Sequence, residues 1–168
     1  GAIIISPTRE LALQTFGVVS QLAEAHNLTH GLIMGGANRK TEETKLVKGL
    51  SIVVATPGRL LDHLQNTKGF TYENLQCLVI DEADEVLNNT TFAQDIVSVT
   101  KMFRGLHLPV QILLFSATFD EKVLRFTRKI APGAVLIQKA PAELKLDTVH
   151  LVTQRGGCDV VRGEGAGV

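Results

Sequence analysis

Asp81-Glu82-Ala83-Asp84 follows directly on the apolar run Leu78-Val79-Ile80, and this junction holds the residues best suited to chemistry. A buried strand that ends in carboxylates delivers them to the carboxyl rim of a sheet, the edge where α/β folds bind their ligands. Mg²⁺ is a hard cation that keeps most of its waters and takes one or two carboxylates beside substrate phosphates, a role that suits Asp81. Glu82 is then placed to take a proton from a water attacking a terminal phosphate, since phosphoryl transfer rests mainly on positioning and charge stabilisation. The same pair also reads as a helix start, where acidic side chains cap free N–H groups and complement the helix dipole. These four residues alone do not separate the two readings.

Related chemistry stands at other strand ends. Ser6-Pro7-Thr8-Arg9 follows an apolar run and combines helix-start residues, whose free N–H groups bind phosphate, with a guanidinium fork. Gly35-Gly36 lets backbone approach a ligand closely. Thr56-Pro57-Gly58-Arg59 repeats the hydroxyl, helix start and guanidinium, and Ser116-Ala117-Thr118 closes a later run. Singly, each is ordinary loop punctuation. Together, two strand ends with the same Thr, Pro and Arg content describe a track for a sugar-phosphate backbone, with contacts that position without reading sequence.

The elements that must hold these groups are β-rich runs alternating with helical patterns, which predicts an α/β fold with a parallel sheet flanked by helices. Strands are expected at Ala2 to Ile5, Leu32 to Met34, Ile52 to Ala55, Cys77 to Ile80, Gln111 to Phe115 and Ala134 to Ile137. A helix from Thr8 to about Ala25 turns Ala12, Phe16, Val19 and Ala23 inward, and one from Glu121 to Ile130 turns Val123, Phe126 and Ile130 inward. A polar helix spans Lys40 to Lys48, another runs from Gly58 to Gln65, and one after the carboxylates ends near Phe103.

The 168 residues are 45% hydrophobic and 20% charged, which suits one globular domain with a sizeable core. No run approaches a membrane span or a signal peptide, so an intracellular location is expected and no membrane partner. Seventeen basic residues balance seventeen acidic ones, so nucleic-acid binding must come from local loops and helix ends. Cys77 reads as a core residue, and with only Cys158 beside it neither a disulfide framework nor a metal site is indicated. From Gly156 the composition turns Gly-rich, which reads as a tail; the single Arg155-Gly156-Gly157 reads as linker rather than as an RNA-binding segment.

Pro7-Thr-Arg-Glu-Leu-Ala12, Gly35-Gly36, Thr56-Pro-Gly-Arg59, Asp81-Glu-Ala-Asp84 and Ser116-Ala-Thr118 resemble, in order and spacing, motifs Ia, GG, Ib, II and III of DEAD-box RNA helicases. The resemblance covers residues 1 to 152, most of a first RecA-like domain, and leaves 153 to 168 as tail or linker. It implies an ATP-dependent RNA helicase using ATP and Mg²⁺. Asp81 and Glu82 would handle Mg²⁺ and the attacking water, Asp81 holding the metal through a water, while Asp84, Ser116 and Thr118 couple the nucleotide site to RNA-bound closure. Pro7, Thr8, Arg9, Gly36, Thr56, Gly58 and Arg59 would line the RNA backbone. Residues Gly31 to Leu78 resemble the ribosome-biogenesis branch, and Gln111 to Phe119 with Leu146-Asp-Thr148 the mRNA-export branch. Either implies nuclear or nucleolar residence, with the cytoplasm as the alternative, and helicase cofactor proteins as partners.

No Gly-x-x-x-x-Gly-Lys-Ser/Thr phosphate loop occurs in these residues, so the 168 residues alone are expected to show no RNA-stimulated ATPase. They read as part of a longer helicase, or alternatively as a catalytically inactive RNA-binding or partner-binding module. The family's phosphate-loop strand would lie between the strand ending at Ser116 and the one at Ala134 to Ile137. Without it, an interior gap or direct pairing of those two strands is expected, and with it a tendency to aggregate.

Overall fold

The computed structural model describes residues 1–105, 109–138 and 150–154. The strands are β1 (Ala2–Ile5), β2 (His30–Ile33), β3 (Ile52–Ala55), β4 (Cys77–Ile80), β5 (Gln111–Ser116), β6 (Val135–Gln138) and β7 (His150–Gln154). The helices are α1 (Arg9–Ala25), α2 (Arg39–Lys48), α3 (Pro57–Asn66), α4 (Ala83–Leu87), α5 (Thr90–Gly105) and α6 (Glu121–Ile130). Local chemistry sets their starts. Thr8 Oγ1 accepts the Leu11 N–H at 3.2 Å, Asn38 Oδ1 accepts the Thr41 N–H at 3.1 Å, and Asp120 Oδ1 accepts the Lys122 and Val123 N–H groups. Pro57 opens α3, where its missing N–H and fixed φ suit a first helical position.

The sheet order is β2-β3-β1-β4-β5-β7-β6, with β2 through β5 parallel. Alternation along the strands sends Ile3, Ile5, Leu78, Ile80, Ile112 and Leu114 to one face, where they pack with side chains of α2, α3, α4, α5 and α6. Ile5 and Ile80 are fully buried, and burying a side chain of this size contributes roughly 1.5–3 kcal/mol. The strand ends that lead into Ser6 and Asp81 are therefore firmly seated. On the other face Ala12 and Val19 of α1 pack on Val54, with Phe16 half-buried beside Ile4 and Leu32.

The expected α/β sheet, most strand positions and the inward faces of α1 and α6 are present, and three features differ. Neither a gap nor a direct β5–β6 pairing occurs. Instead β7 fills that place and pairs antiparallel with both neighbours, Leu114 opposite Val152 and Leu136 opposite Val152. The sheet is thus mixed rather than wholly parallel, and the open edges of β5 and β6 find donors and acceptors in β7. This strand runs to Gln154, just past the boundary expected at 152. The single helix expected after the carboxylates is two, because Asn89 Oδ1 accepts the Thr91 and Phe92 N–H groups and starts a new one. Cys77 is half-buried rather than in the core, with burial pushing its thiol up.

The Gly-rich stretch from Gly156, Arg155-Gly156-Gly157 and Cys158 lie outside the described residues. Among the described residues no helix is long and apolar enough to cross a membrane, and no group of three or more metal-binding side chains occurs.

Candidate nucleotide and RNA site

Because β1, β3 and β4 run in register, their last residues Ile5, Ala55 and Ile80 stand side by side, and the chain leaves all three at one rim. Hydrogen bonds extend the ladder past the strands. Ser6 N–H donates to the Ala55 carbonyl, Thr56 N–H to Ile33 and Asp81 N–H to Ile5, all at 3.0 Å. The rim therefore presents, in order, the Gly35-Gly36 turn after β2, Thr56–Arg59 after β3, Ser6–Arg9 after β1, Asp81–Asp84 after β4 and Ser116–Thr118 after β5. The candidate backbone-binding groups lie on one side and the carboxylates on the other, meeting at the β1–β4 boundary.

Asp81 Oδ1 accepts the Glu82 N–H at 3.0 Å, and Oδ2 has no partner among the described residues. One free carboxylate oxygen at a rim fits a single protein ligand to a hydrated Mg²⁺ that draws its other ligands from water and phosphate. The phosphate loop that would cradle a nucleotide's phosphates has no counterpart in these residues. Glu82 stands at the head of α4 with φ 49° and ψ 56°, and its side chain makes no capping bond. A left-handed non-glycine residue is strained by on the order of 1–3 kcal/mol, and such strain gathers at functional positions. The carboxyl of Glu82 is thus aimed by an unusual backbone rather than spent on the helix.

Asp84 is held across the rim by Thr118, whose Oγ1 donates to Asp84 Oδ2 at 3.1 Å, while Ser116 Oγ donates to the Thr118 carbonyl at 2.7 Å. A hydroxyl has one hydrogen, so Thr118 rather than Ser116 is the main partner of Asp84. Glu82, Asp84, Thr118, Asp120 and Lys122 line a cleft of about 430 Å³.

The two carboxyls are displaced in opposite directions. Burial first, then the charges of Asp81, Asp84 and Glu85, push Glu82 above its ordinary value. Burial acts the same way on Asp84, but hydrogen bonds from the Thr118 hydroxyl and backbone amides outweigh it and leave Asp84 below its ordinary value. A lowered carboxyl contributes stability that is present above its unfolded value of about 3.9 and lost as pH falls through the folded value. Thr118→Val is therefore expected to lower the melting temperature at pH 7 by about 2–4 °C, the equivalent of one charge-assisted hydrogen bond at an exposed site. The deficit should shrink as pH falls below about 4. An equal deficit at pH 2 and pH 7, in paired thermal melts, would assign it to packing instead.

On the other side of the rim Arg9 and Gly36 meet. Gly36 has φ 83°, and a Cβ there would stand 2.8 Å from Arg9 Nη1, so the guanidinium lies against bare backbone. Arg9, Gly36 and Gly58 are exposed and Thr8 partly so, while Pro7 and Thr56 are buried beneath them. Arg59 turns inward. Its Nη1 donates to Glu42 Oε2 at 2.9 Å, and its side chain is only 17% exposed. Asp95 of α5, whose carboxyl burial pushes up, stands behind Gly58, where an added Cβ would come within 3.2 Å of Oδ2.

Sequence reasoning missed Glu42, His63 and Asp95. The signal for Glu42 was its i,i+4 relation to Leu46, since both are buried on one face of an otherwise polar helix.

A sheet parallel from β2 to β5 and flanked by helices, with these five motifs along one rim, defines a helicase core, and the family model for DEAD/DEAH box helicases matches residues 1–126. The chain belongs to that family. Over 149 residues it is 50% identical to the ATP-dependent RNA helicase DDX18 of Homo sapiens, a match covering 88% of this chain and 20% of that protein. It is 49% identical over 142 residues to the ATP-dependent RNA helicase HAS1 of Saccharomyces cerevisiae, covering 84% and 28%. Among solved structures, the DEAD box protein of the hyperthermophile Methanococcus jannaschii superposes with a TM-score of 0.67 at 36% identity, over 77% of this chain and 34% of that one. Mss116p, bound to single-stranded RNA and AMP-PNP, gives 0.68 at 30% identity, over 77% and 27%. The chain thus spans between a fifth and three tenths of the length of the two curated relatives.

Proposed function

We propose that this chain is most of the first RecA-like domain of an ATP-dependent RNA helicase, with the RNA track and the hydrolytic carboxylates on adjacent strand ends. The observation that carries this reading is the registered β1–β4 pair, which sets Pro7–Arg9 next to Asp81–Glu82. In this reading Asp81 would hold Mg²⁺ through a water, and the ion would neutralise charge on the nucleotide phosphates. Glu82 takes the proton of the attacking water at its carboxylate, and a raised carboxyl is the better base for that step. Asp84, Ser116 and Thr118 carry the state of the carboxylate side to β5, because any shift of Asp84 pulls on the Thr118 hydroxyl.

RNA runs along Thr8, Arg9, Gly36 and Gly58, with Pro7, Thr56 and Arg59 shaping the track from beneath. These groups meet sugar and phosphate, so recognition is independent of base sequence. Protein cofactors of the helicase are further partners in this reading, and nuclear or nucleolar residence follows from the branch resemblance of the sequence.

The test is binding of single-stranded RNA oligonucleotides to the intact protein by fluorescence anisotropy over a range of salt. Arg9→Ala should weaken binding about tenfold, roughly 1.4 kcal/mol, equally for unrelated sequences. The slope of log affinity against log salt should fall by about 0.7, one phosphate contact on a single strand. Unchanged affinity, or a loss confined to particular sequences, would refute the track.

A further inference from the structure

Glu42 is 4% exposed and His63 is fully buried, yet the reading above uses neither. The two oxygens of Glu42 serve different elements. Oε1 accepts the Met34 N–H at 2.9 Å, at the point where β2 gives way to Gly35-Gly36. Oε2 accepts from Arg59 Nη1 at 2.9 Å and lies 3.0 Å from His63 Nε2, both on α3. A carboxylate only accepts, so Nε2 carries the hydrogen. The cluster continues outward: His63 Nδ1 is 2.7 Å from Thr67 Oγ1, which Arg39 Nη2 reaches at 3.4 Å, and Arg39 Nε donates to Asp62 at 2.8 Å.

A buried carboxylate is a poor device for stability. Desolvation offsets most of what its partners return, and an apolar side chain of the same volume does as well or better. What the ion supplies instead is direction, because it has to satisfy donors on two elements at once. Besides Glu42, the turn is closed by one backbone bond, from the Ala37 N–H to the Met34 carbonyl at 3.3 Å. A Cβ on Gly35 would meet nothing within 4 Å, and Gly36 sits at φ 83° with Arg9 laid against it. The Met34 N–H lies beyond the last residue of β2, and Glu42 is the acceptor it finds.

We infer that Glu42 is a positioning residue for RNA binding: one carboxylate locks the Gly35-Gly36 turn, and through it Arg9, to the first turns of α3. The inference rests on the RNA-track reading. Hydrogen bonds run from α3 through Glu42 to Met34, and two residues further along the chain Gly36 lies against Arg9, so three separate rim segments share one anchor. Glu42 itself touches no RNA.

The experiment measures RNA affinity, salt slope and melting temperature of the intact protein for Glu42→Gln, Arg9→Ala and the double variant. Gln keeps an acceptor for Met34 but turns an amide NH₂ toward Arg59 and His63, so the α3 side of the lock opens. The expected result is a folded Glu42→Gln protein with about tenfold weaker RNA binding. The double variant should bind no more than about twofold worse than Arg9→Ala alone, because the anchor acts through that arginine. A purely structural role for Glu42 would leave the two losses multiplicative, and that outcome overturns the inference, as does unchanged affinity in folded Glu42→Gln. If Arg9→Ala alone leaves binding intact, the track itself has failed, which is a separate result. If Glu42→Gln does not fold, Glu42→Asp is read in its place. Aspartate keeps the charge near Arg59 but falls one methylene short of spanning both partners, and it should show the same loss. Unfolding of both variants would make Glu42 a core residue and count against the inference.

Discussion

Replacing Glu82 by glutamine in the intact protein is expected to lower RNA-stimulated ATP turnover by about 10²- to 10⁴-fold, the range a general base contributes. Glutamine is the same size, tolerates the same backbone and cannot accept a proton at neutral pH, so RNA affinity and the KM for ATP should change little. The substitution also has a sign for stability. Glu82 is raised in the folded state, so its favourable contribution is present below its unfolded value of about 4.3 and lost as pH rises through the folded value. At pH 7 its charge is crowded by Asp81, Asp84 and Glu85, and glutamine removes that crowding. The variant should melt above the unsubstituted protein at pH 7, with the difference closing below about pH 4. Steady-state turnover with saturating RNA and melts at the two pH values check both halves. A folded variant that loses less than tenfold in turnover would take the proton-accepting role away from Glu82.

Arg59→Ala is the second large effect, and it is expected in stability more than in binding. Glu42 is only 5% exposed at its side chain, and removing one partner from a buried pair costs about 3–5 kcal/mol. Met34 N–H and His63 remain in place, which reduces the expected loss to about 2–3 kcal/mol. For a domain of this size that lowers the melting temperature by roughly 4–12 °C. Arg9→Ala, at an exposed position, should shift it by less than about 2 °C while weakening RNA binding. The pair of melts separates the two arginines, although sequence gives them matching places after their strands. Weaker RNA binding by a folded Arg59→Ala protein follows from the opened Glu42 lock; a fall in its salt slope of about 0.7 as well would show that the guanidinium leaves Glu42 and works on phosphate directly.

That contrast marks where the sequence stops being legible. Strand ends, helix starts and inward faces follow from local pattern, because Ile3 and Ile5, or Val123, Phe126 and Ile130, carry their periodicity in a few neighbouring residues. The direction of the Arg59 side chain depends on Glu42, seventeen positions earlier, inside a helix whose polar composition hides its single buried carboxylate. The strand β7 is harder still. Residues 150 to 154 straddle the expected border between domain and linker and show no strand until they meet Leu113 and Leu136, whose open edges exist only once the sheet has formed. The break between α4 and α5 was written in Asn88-Asn89, an Asx signal that a continuing apolar pattern outweighed. In the candidate site, motif order disclosed which residues gather at the rim. It did not disclose that Glu82 is held in a left-handed backbone or that Arg59 faces the interior.

The strand order also sets a timetable for synthesis. Ala2 pairs with Ile52 on one side and with Cys77 on the other, so β1 waits for β4 before both its edges are covered. At about 5–20 residues per second a ribosome takes on the order of 4–15 s to cover that distance. Through that interval Ile3, Ile4 and Ile5 form an apolar ribbon with an open edge, the kind of segment that nascent-chain chaperones protect. The arrival of β4 closes the ribbon and sets Asp81 and Glu82 beside Pro7 to Arg9 in the same step. A ribosome stalled before Cys77 therefore leaves the strand ends of β1, β2 and β3 without the carboxylates that should stand beside them.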